Sequence, residues 1–163
     1  MSVGHAMRAE HLERFERMVA NLRQKKLKLT PQRLAILRLF CADESHPTAQ
    51  DLYARLRPAF PTMSFATVYN TLDALALAGL TSTLHLGGAS RFDPNTEPHH
   101  HAICDGCGSI ADISLPVRPT QSPVDGQALE LAAPGFSVRA VERVYRGLCA
   151  GCTRKAKKKK LLS

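Results

Sequence analysis

Cys104 and Cys107 form one Cys-x-x-Cys pair and Cys149 and Cys152 another, and four thiolates complete the tetrahedral shell of a structural Zn²⁺. The 41 residues between the pairs exceed a zinc-ribbon loop. A zinc ion here would therefore tie the start of the C-terminal segment to its end. A redox Cys-x-x-Cys is the competing reading, disfavoured by two pairs with no thioredoxin-like βαβ context. Cys41, in an apolar helical stretch, reads as a small buried hydrophobe.

Nitrogen and oxygen donors crowd the first pair. In an extended segment His99 and His101 point to one side and His100 to the other. Asp93 stands upstream and Asp112 just beyond Cys107. Imidazoles and carboxylates without a thiolate suit Fe²⁺ or Mn²⁺ better than a structural zinc. His46, in the loop Ser45-His46-Pro47-Thr48, has the donor type for the same ion, although a lone loop histidine by itself reads as exposed and without function. A zinc-dependent hydrolase or oxidoreductase built on these histidines is a further reading, but a hydrolytic site needs a positioned general base and an open zinc position.

The elements that must position these groups change character near residue 93. Apolar spacing at Leu12, Phe15, Met18, Val19 and Leu22 predicts a helix over 9–24. Thr30 caps a second, with Pro31 at its first position, running to residue 41. Thr48 caps a third to about Leu56, and Ser64 a fourth over 65–78 that stops at Gly79. Extended stretches at 81–86 and 90–93 join through Gly87-Gly88 as a hairpin. Helices followed by a hairpin predict a winged helix-turn-helix over 1–93. Beyond Pro94, residues 94–163 read as a small α/β domain, with strand texture around Ile103, at 109–114 and at 137–145. A Pro-rich connection at 115–123 and a short helix at 124–132 separate the last two. The fold class is thus α+β, with a four-cysteine zinc site in the second domain.

The fourth helix is the candidate recognition helix. Val68, Leu72, Leu75 and Ala76 share its packing face, which leaves Thr67, Tyr69 and Asn70 in the first turns to meet base edges. Its one charge is Asp73, so phosphate attraction falls to the acid-free run that includes Arg23, Lys25, Lys26, Lys28 and Arg33, with Arg91 on the wing.

The formal net charge of +8 is unevenly distributed. Residues 1–35 carry eight positive and three negative charges, and 154–160 carry six positive and none negative. The remainder holds eight positive and eleven negative charges, a net −3. Basic ends can engage DNA phosphates, although the run Lys157 to Lys160 reads equally well as a solvated tail. No apolar run long enough for a membrane span and no signal-peptide core is present, so the chain reads as a cytoplasmic protein with no membrane partner. In that compartment paired cysteines hold zinc more often than a disulfide.

Several segments in order make the chain resemble the ferric uptake regulator (Fur) family of bacterial metal-responsive repressors. They are Leu29-Thr30-Pro31-Gln32-Arg33, His46-Pro47-Thr48-Ala49-Gln50-Asp51-Leu52-Tyr53, Ala66-Thr67-Val68-Tyr69-Asn70-Thr71-Leu72 and Arg91-Phe92-Asp93. The run from His99 through Gly108, then Asp112 and the final Cys-x-x-Cys, completes the set. The resemblance implies a homodimer joined through the second domain, operators that are AT-rich inverted repeats, and a regulatory metal that clamps the two domains for DNA binding.

Within the family the chain is most similar to the peroxide-regulator (PerR) branch, whose ligand pattern of three histidines and two aspartates corresponds to His46, Asp93, His99, His101 and Asp112. Iron-sensing members usually carry Glu at the position of Asp93 and Arg at that of Asn70, and zinc sensors a regulatory Cys. The branch implies repression relieved when peroxide and bound Fe²⁺ oxidise His46 or His99, whereas Mn²⁺ gives an insensitive repressor. Such self-oxidation is stoichiometric, so the chain is expected not to be an enzyme. A reversible iron or manganese sensor is the alternative. The N-terminal extension to about Leu12 and the Lys-rich tail depart from a minimal member.

Overall fold

In this computed structural model, residues 8–85, 88–113, 134–135 and 143–160 are described. They fall into two compact units, residues 1–96 and 97–163.

The first unit opens with α1 (Ala9–Gln24), α2 (Pro31–Cys41), α3 (Ala49–Leu56) and α4 (Phe65–Leu77). Three of these start on side-chain caps. Thr30 accepts from the Arg33 amide and Ser64 from the Thr67 amide, while Thr48 and Asp51 form a reciprocal capping box. Each cap satisfies amides that no helical carbonyl can reach and is worth about 1 kcal/mol. Gly79, at φ +69°, lets the chain leave α4 in the left-handed region. The helices enclose a core in which Ile36, Leu37, Phe40, Leu52, Val68, Leu72 and Leu75 are fully buried. β1 (Ser82–Leu84) and β2 (Arg91–Asp93) then pair antiparallel, with Ser82 opposite Asp93. Of the Gly87-Gly88 turn, Gly87 lies outside the described residues.

The phase of α1 departs from the expected one at its start. Leu12 is 44% exposed, and His11 takes the buried position at 3%. The inward stripe runs His11, Phe15, Met18, Leu22, which follows the helical period of 3.6 and turns Leu12 toward its edge.

The second unit contains β3 (His100–Cys104), β4 (Ile110–Ile113) and β5 (Val144–Gly147) in a sheet of order β4-β3-β5. β3 runs antiparallel to β4 and parallel to β5, with His101 opposite both Asp112 and Val144. Beyond β5 the basic run forms α5 (Ala150–Lys160), whose Arg154, Lys155, Lys157 and Lys158 are exposed. The expected connection at 115–123 and helix at 124–132, and most of the strand expected from residue 137, lie outside the described residues. Among the described residues no helix is long and apolar enough to cross a membrane.

Candidate metal centres and DNA-contacting surface

In the second unit, β3 ends at Cys104 and the following turn brings Cys107 back beside it, while Cys149 and Cys152 flank the start of α5. Sγ of Cys107 lies 3.8 Å from Sγ of Cys149. A regular tetrahedron with Zn–S bonds of about 2.3 Å has edges of about 3.8 Å, so the spacing is that of two ligands of one ion. All four sulfurs lie within 4.8 Å of one another. None of the cysteines is disulfide-bonded.

The backbone is shaped to the sulfurs. The Cys149 amide donates to Sγ of Cys104 at 3.2 Å and the Cys152 amide to Sγ of Cys149 at 3.5 Å. A side chain at Gly106 would place its Cβ 3.0 Å from Sγ of Cys152 and 3.1 Å from Leu148, so a larger residue there would have to push the sulfur or the leucine aside. The amide of Cys149 holds the Cys104 thiol down at about 6, whereas the neighbouring Cys104, Cys107 and Cys149 push Cys152 up to about 12. Four thiolates at this range need a cation to compensate their charge. Cys41 has the opposite character: it is fully buried, burial pushes its thiol up to about 12, and its Sγ rests 3.5 Å from Met18 Sδ.

Of the expected nitrogen and oxygen ligands, the first unit holds His46 and Asp93. His46 sits at φ 55°, a left-handed conformation uncommon outside glycine, and three contacts hold its loop against β2. The Phe92 amide donates to the Pro47 carbonyl at 3.0 Å, Arg91 Nη1 donates to the His46 carbonyl at 3.1 Å, and Thr48 bridges Arg91. Asp93 is fixed in turn by the Thr81 hydroxyl, which donates to its carbonyl at 2.6 Å, and by the Asn95 amide on Oδ1 at 2.8 Å. His46 Nε2 consequently stands 3.7 Å from Asp93 Oδ2, with both residues buried.

The second unit holds His99, His101 and Asp112. His99 Nδ1 donates to the Glu97 carbonyl at 2.7 Å, which leaves the lone pair of a neutral ring on Nε2, the orientation a metal ligand needs. That Nε2 lies 2.9 Å from His101 Nε2 and 3.6 Å from Asp112 Oδ1. Divalent bonds of about 2.0–2.2 Å place tetrahedral ligand atoms about 3.3–3.6 Å apart, close to the 3.7 Å and 3.6 Å histidine–aspartate spacings, whereas the 2.9 Å between the two imidazole nitrogens is that of a hydrogen bond. His100 turns the other way, accepting from the Arg143 amide at 3.4 Å.

On α4, Tyr69 is 47% exposed and Asn70 is exposed, while Thr67 is half-buried and its hydroxyl lies 2.9 Å from that of Ser64. Of the three candidate base-reading side chains, Tyr69 and Asn70 are thus the ones presented outward. Lys25 and Lys26 are exposed, Lys26 with φ 56° at the turn after α1. Arg33 is half-buried, and its Nη1 donates to the Lys28 carbonyl at 2.7 Å; Arg91 is engaged with His46. Of the three arginines assigned to phosphate from the sequence, Arg33 and Arg91 thus each donate to a backbone carbonyl of their own unit.

The chain matches the sequence profile of the ferric uptake regulator family over residues 24–127. It belongs to that family. It is 45% identical over 103 residues to the peroxide-responsive repressor PerR of Staphylococcus aureus strain Mu50, a match that covers 63% of this chain and 70% of the relative. Among solved structures it is similar to a zinc uptake regulator complexed with zinc and DNA, at 26% identity with a TM-score of 0.63, covering 92% of this chain and 99% of the other. It is also similar to the ferric uptake regulator of Vibrio cholerae, at 28% identity with a TM-score of 0.61 over 80% of this chain and 98% of that one.

Proposed function

We propose that this family member is a cytoplasmic, metal-dependent DNA-binding repressor, a homodimer on AT-rich inverted-repeat operators, that senses peroxide through oxidation of its own ligand histidines. The observation that carries the reading is a donor set without thiolate in a chain 45% identical over 103 residues to a peroxide-responsive repressor. Cys104, Cys107, Cys149 and Cys152 hold one Zn²⁺ per subunit. His46, Asp93, His99, His101 and Asp112 hold one Fe²⁺ or Mn²⁺, which suits imidazole and carboxylate donors.

Fe²⁺ held by these residues would activate hydrogen peroxide beside the ligand rings, so that one peroxide oxygen enters an imidazole C–H bond and the ring's two electrons reduce the other oxygen to water. His46 or His99 gains one oxygen atom as 2-oxo-histidine and ceases to be a ligand. His46 and Asp93 belong to the DNA-binding unit and the other three ligands to the second, so losing one releases a clamp that favours the DNA-binding arrangement. The zinc thiolates take no part, and the chemistry is stoichiometric rather than catalytic. DNA is met by Tyr69, Asn70 and Thr67 at base edges and by Lys25 and Lys26 at phosphates, with Arg33 bracing the turn between them.

The test is an intact-mass measurement of Fe²⁺-loaded and Mn²⁺-loaded protein before and after dilute hydrogen peroxide, with peptide mapping. One added oxygen on His46 or His99, only in the iron form and together with loss of operator binding, is the expected result. Iron-loaded protein that keeps its mass and its DNA would instead be a reversible iron or manganese sensor.

A further inference from the structure

We propose a further divalent-metal site in the first unit, formed by Glu10, His11 and Glu44, that joins the start of α1 to the loop between α2 and α3. His11 is 3% exposed, and its buried Nε2 makes no hydrogen bond. A buried imidazole nitrogen without a partner is costly, yet this one is aimed at two carboxylates. Nε2 lies 3.6 Å from Oε1 of Glu10 and 3.5 Å from Oε1 of Glu44. Those separations match the edge of a ligand tetrahedron with bonds of about 2.0–2.2 Å. The three ligand atoms lie within 4.8 Å of one another. One imidazole and two carboxylates, with room for water beside the exposed glutamates, suit a first-row ion such as Zn²⁺ or Mn²⁺.

The cation now facing these carboxylates is Arg8. Its Nη2 donates to Glu44 Oε1 at 2.5 Å, and Nη1 lies 3.6 Å from Glu10 Oε1. Arg8 satisfies the carboxylates but leaves Nε2 of His11 unserved, whereas a divalent ion would serve all three. The guanidinium and the metal therefore compete for Glu44. Glu44 shares its loop with His46, so the ion would also tie that loop to α1.

The site is tested by equilibrium dialysis of the full-length, zinc-stapled protein against buffered free Zn²⁺, counting zinc per subunit by elemental analysis. Wild type should bind one more zinc than Glu44→Gln or His11→Ala, and His101→Ala should lose a different one, so that His11→Ala with His101→Ala loses two. If His101→Ala loses none while His11→Ala still does, the regulatory reading fails and this one stands. Because removing a buried histidine can disturb folding, Arg8→Ala supplies the decisive arm. It removes a competitor and no ligand, so half-saturation should move several-fold lower in free Zn²⁺. Equal zinc counts in wild type and Glu44→Gln, or an Arg8→Ala protein whose half-saturation is unchanged or higher, would overturn the proposal and leave an ion pair packed over a histidine.

Discussion

His46 Nε2 stands 3.7 Å from Asp93 Oδ2, and Arg91 links the two backbones, its Nη1 holding the His46 carbonyl while its strand carries Asp93. Pairing with β2 thus converts a loop histidine and a strand aspartate into a preset pair of donors.

Removing the pair and removing its support should differ. His46→Ala should keep the zinc of the four cysteines yet lose metal-dependent DNA affinity, by about 5–150-fold if the coupling is of ordinary size. Arg91→Ala keeps every ligand and should weaken Mn²⁺ binding on the order of 10-fold, as outer-shell partners of a metal typically do. Mn²⁺ titration followed by operator binding in fluorescence anisotropy measures both. An Arg91→Ala protein with normal Mn²⁺ affinity and a flattened salt dependence on DNA would return Arg91 to the phosphates.

The thiol cluster offers a paired test with glycines. A Cβ at Gly106 would meet Cys152 Sγ at 3.0 Å, but one at Gly151 would meet Cys149 Sγ only at 3.8 Å. Gly106→Ala should therefore lower zinc affinity, and Cys104→Ser should abolish it together with the dimer, because the metal supplies folding energy at such sites. Gly151→Ala should leave zinc in place and strengthen α5 by up to about 1 kcal/mol through helix propensity. Zinc retention under a competing chelator and thermal unfolding read out the set, and equal retention in the two glycine variants would contradict the tight-turn account.

The caps, the core face of α4 and the cysteine pairs were legible because each rests on contacts a few residues apart or on an unmistakable residue type. Thr30, Thr48 and Ser64 each meet the amide three positions on, a relationship spacing alone reveals. What stayed hidden is non-local. Nothing in the neighbourhood of Arg33 or Arg91 says that the Lys28 and His46 carbonyls will each take one of their donors. His11 is not legible as an inward residue because Leu12 beside it fits an apolar stripe as well, and the choice between them is made by what packs from α2 and its following loop. The buried imidazole then meets Glu44 across 33 positions of sequence. The helical state of the Lys-rich run was also not expected, since its charges read equally as a solvated tail.

Asp43 should give the loop a pH signature. Burial by itself would raise its pKa, but the hydroxyl and amide of Ser45 and the guanidinium of Arg55 outweigh that and hold it below the ordinary 3.8. A depressed folded-state value means the stabilisation is fully present above the unfolded-state pKa and is lost as pH falls through the lower, folded one. Asp43→Asn should therefore be less stable than wild type at neutral pH, with the gap closing in acid below about 3.8. Denaturant midpoints from pH 7 down to 3 measure it, and a gap that widened in acid would reverse the assignment.

The last expectation separates base reading from charge. Tyr69 and Asn70 are exposed on α4 away from its buried Val68, Leu72 and Leu75, so their truncation should not disturb the fold. Tyr69→Ala and Asn70→Ala should each cost about 1–3 kcal/mol on the specific operator and little on random DNA. Replacing Lys25 and Lys26 with Ala should weaken both DNAs alike and reduce the slope of log affinity against log salt by about two, roughly one for each phosphate no longer neutralised. Arg33→Ala should behave differently from either, lowering stability because the Lys28 carbonyl is left without its guanidinium donor, with little change in salt slope. Binding isotherms on operator and scrambled duplexes at several salt concentrations distinguish the three classes. If Asn70→Ala weakened both duplexes equally, α4 would be contacting the backbone and sequence recognition would have to come from elsewhere in the unit.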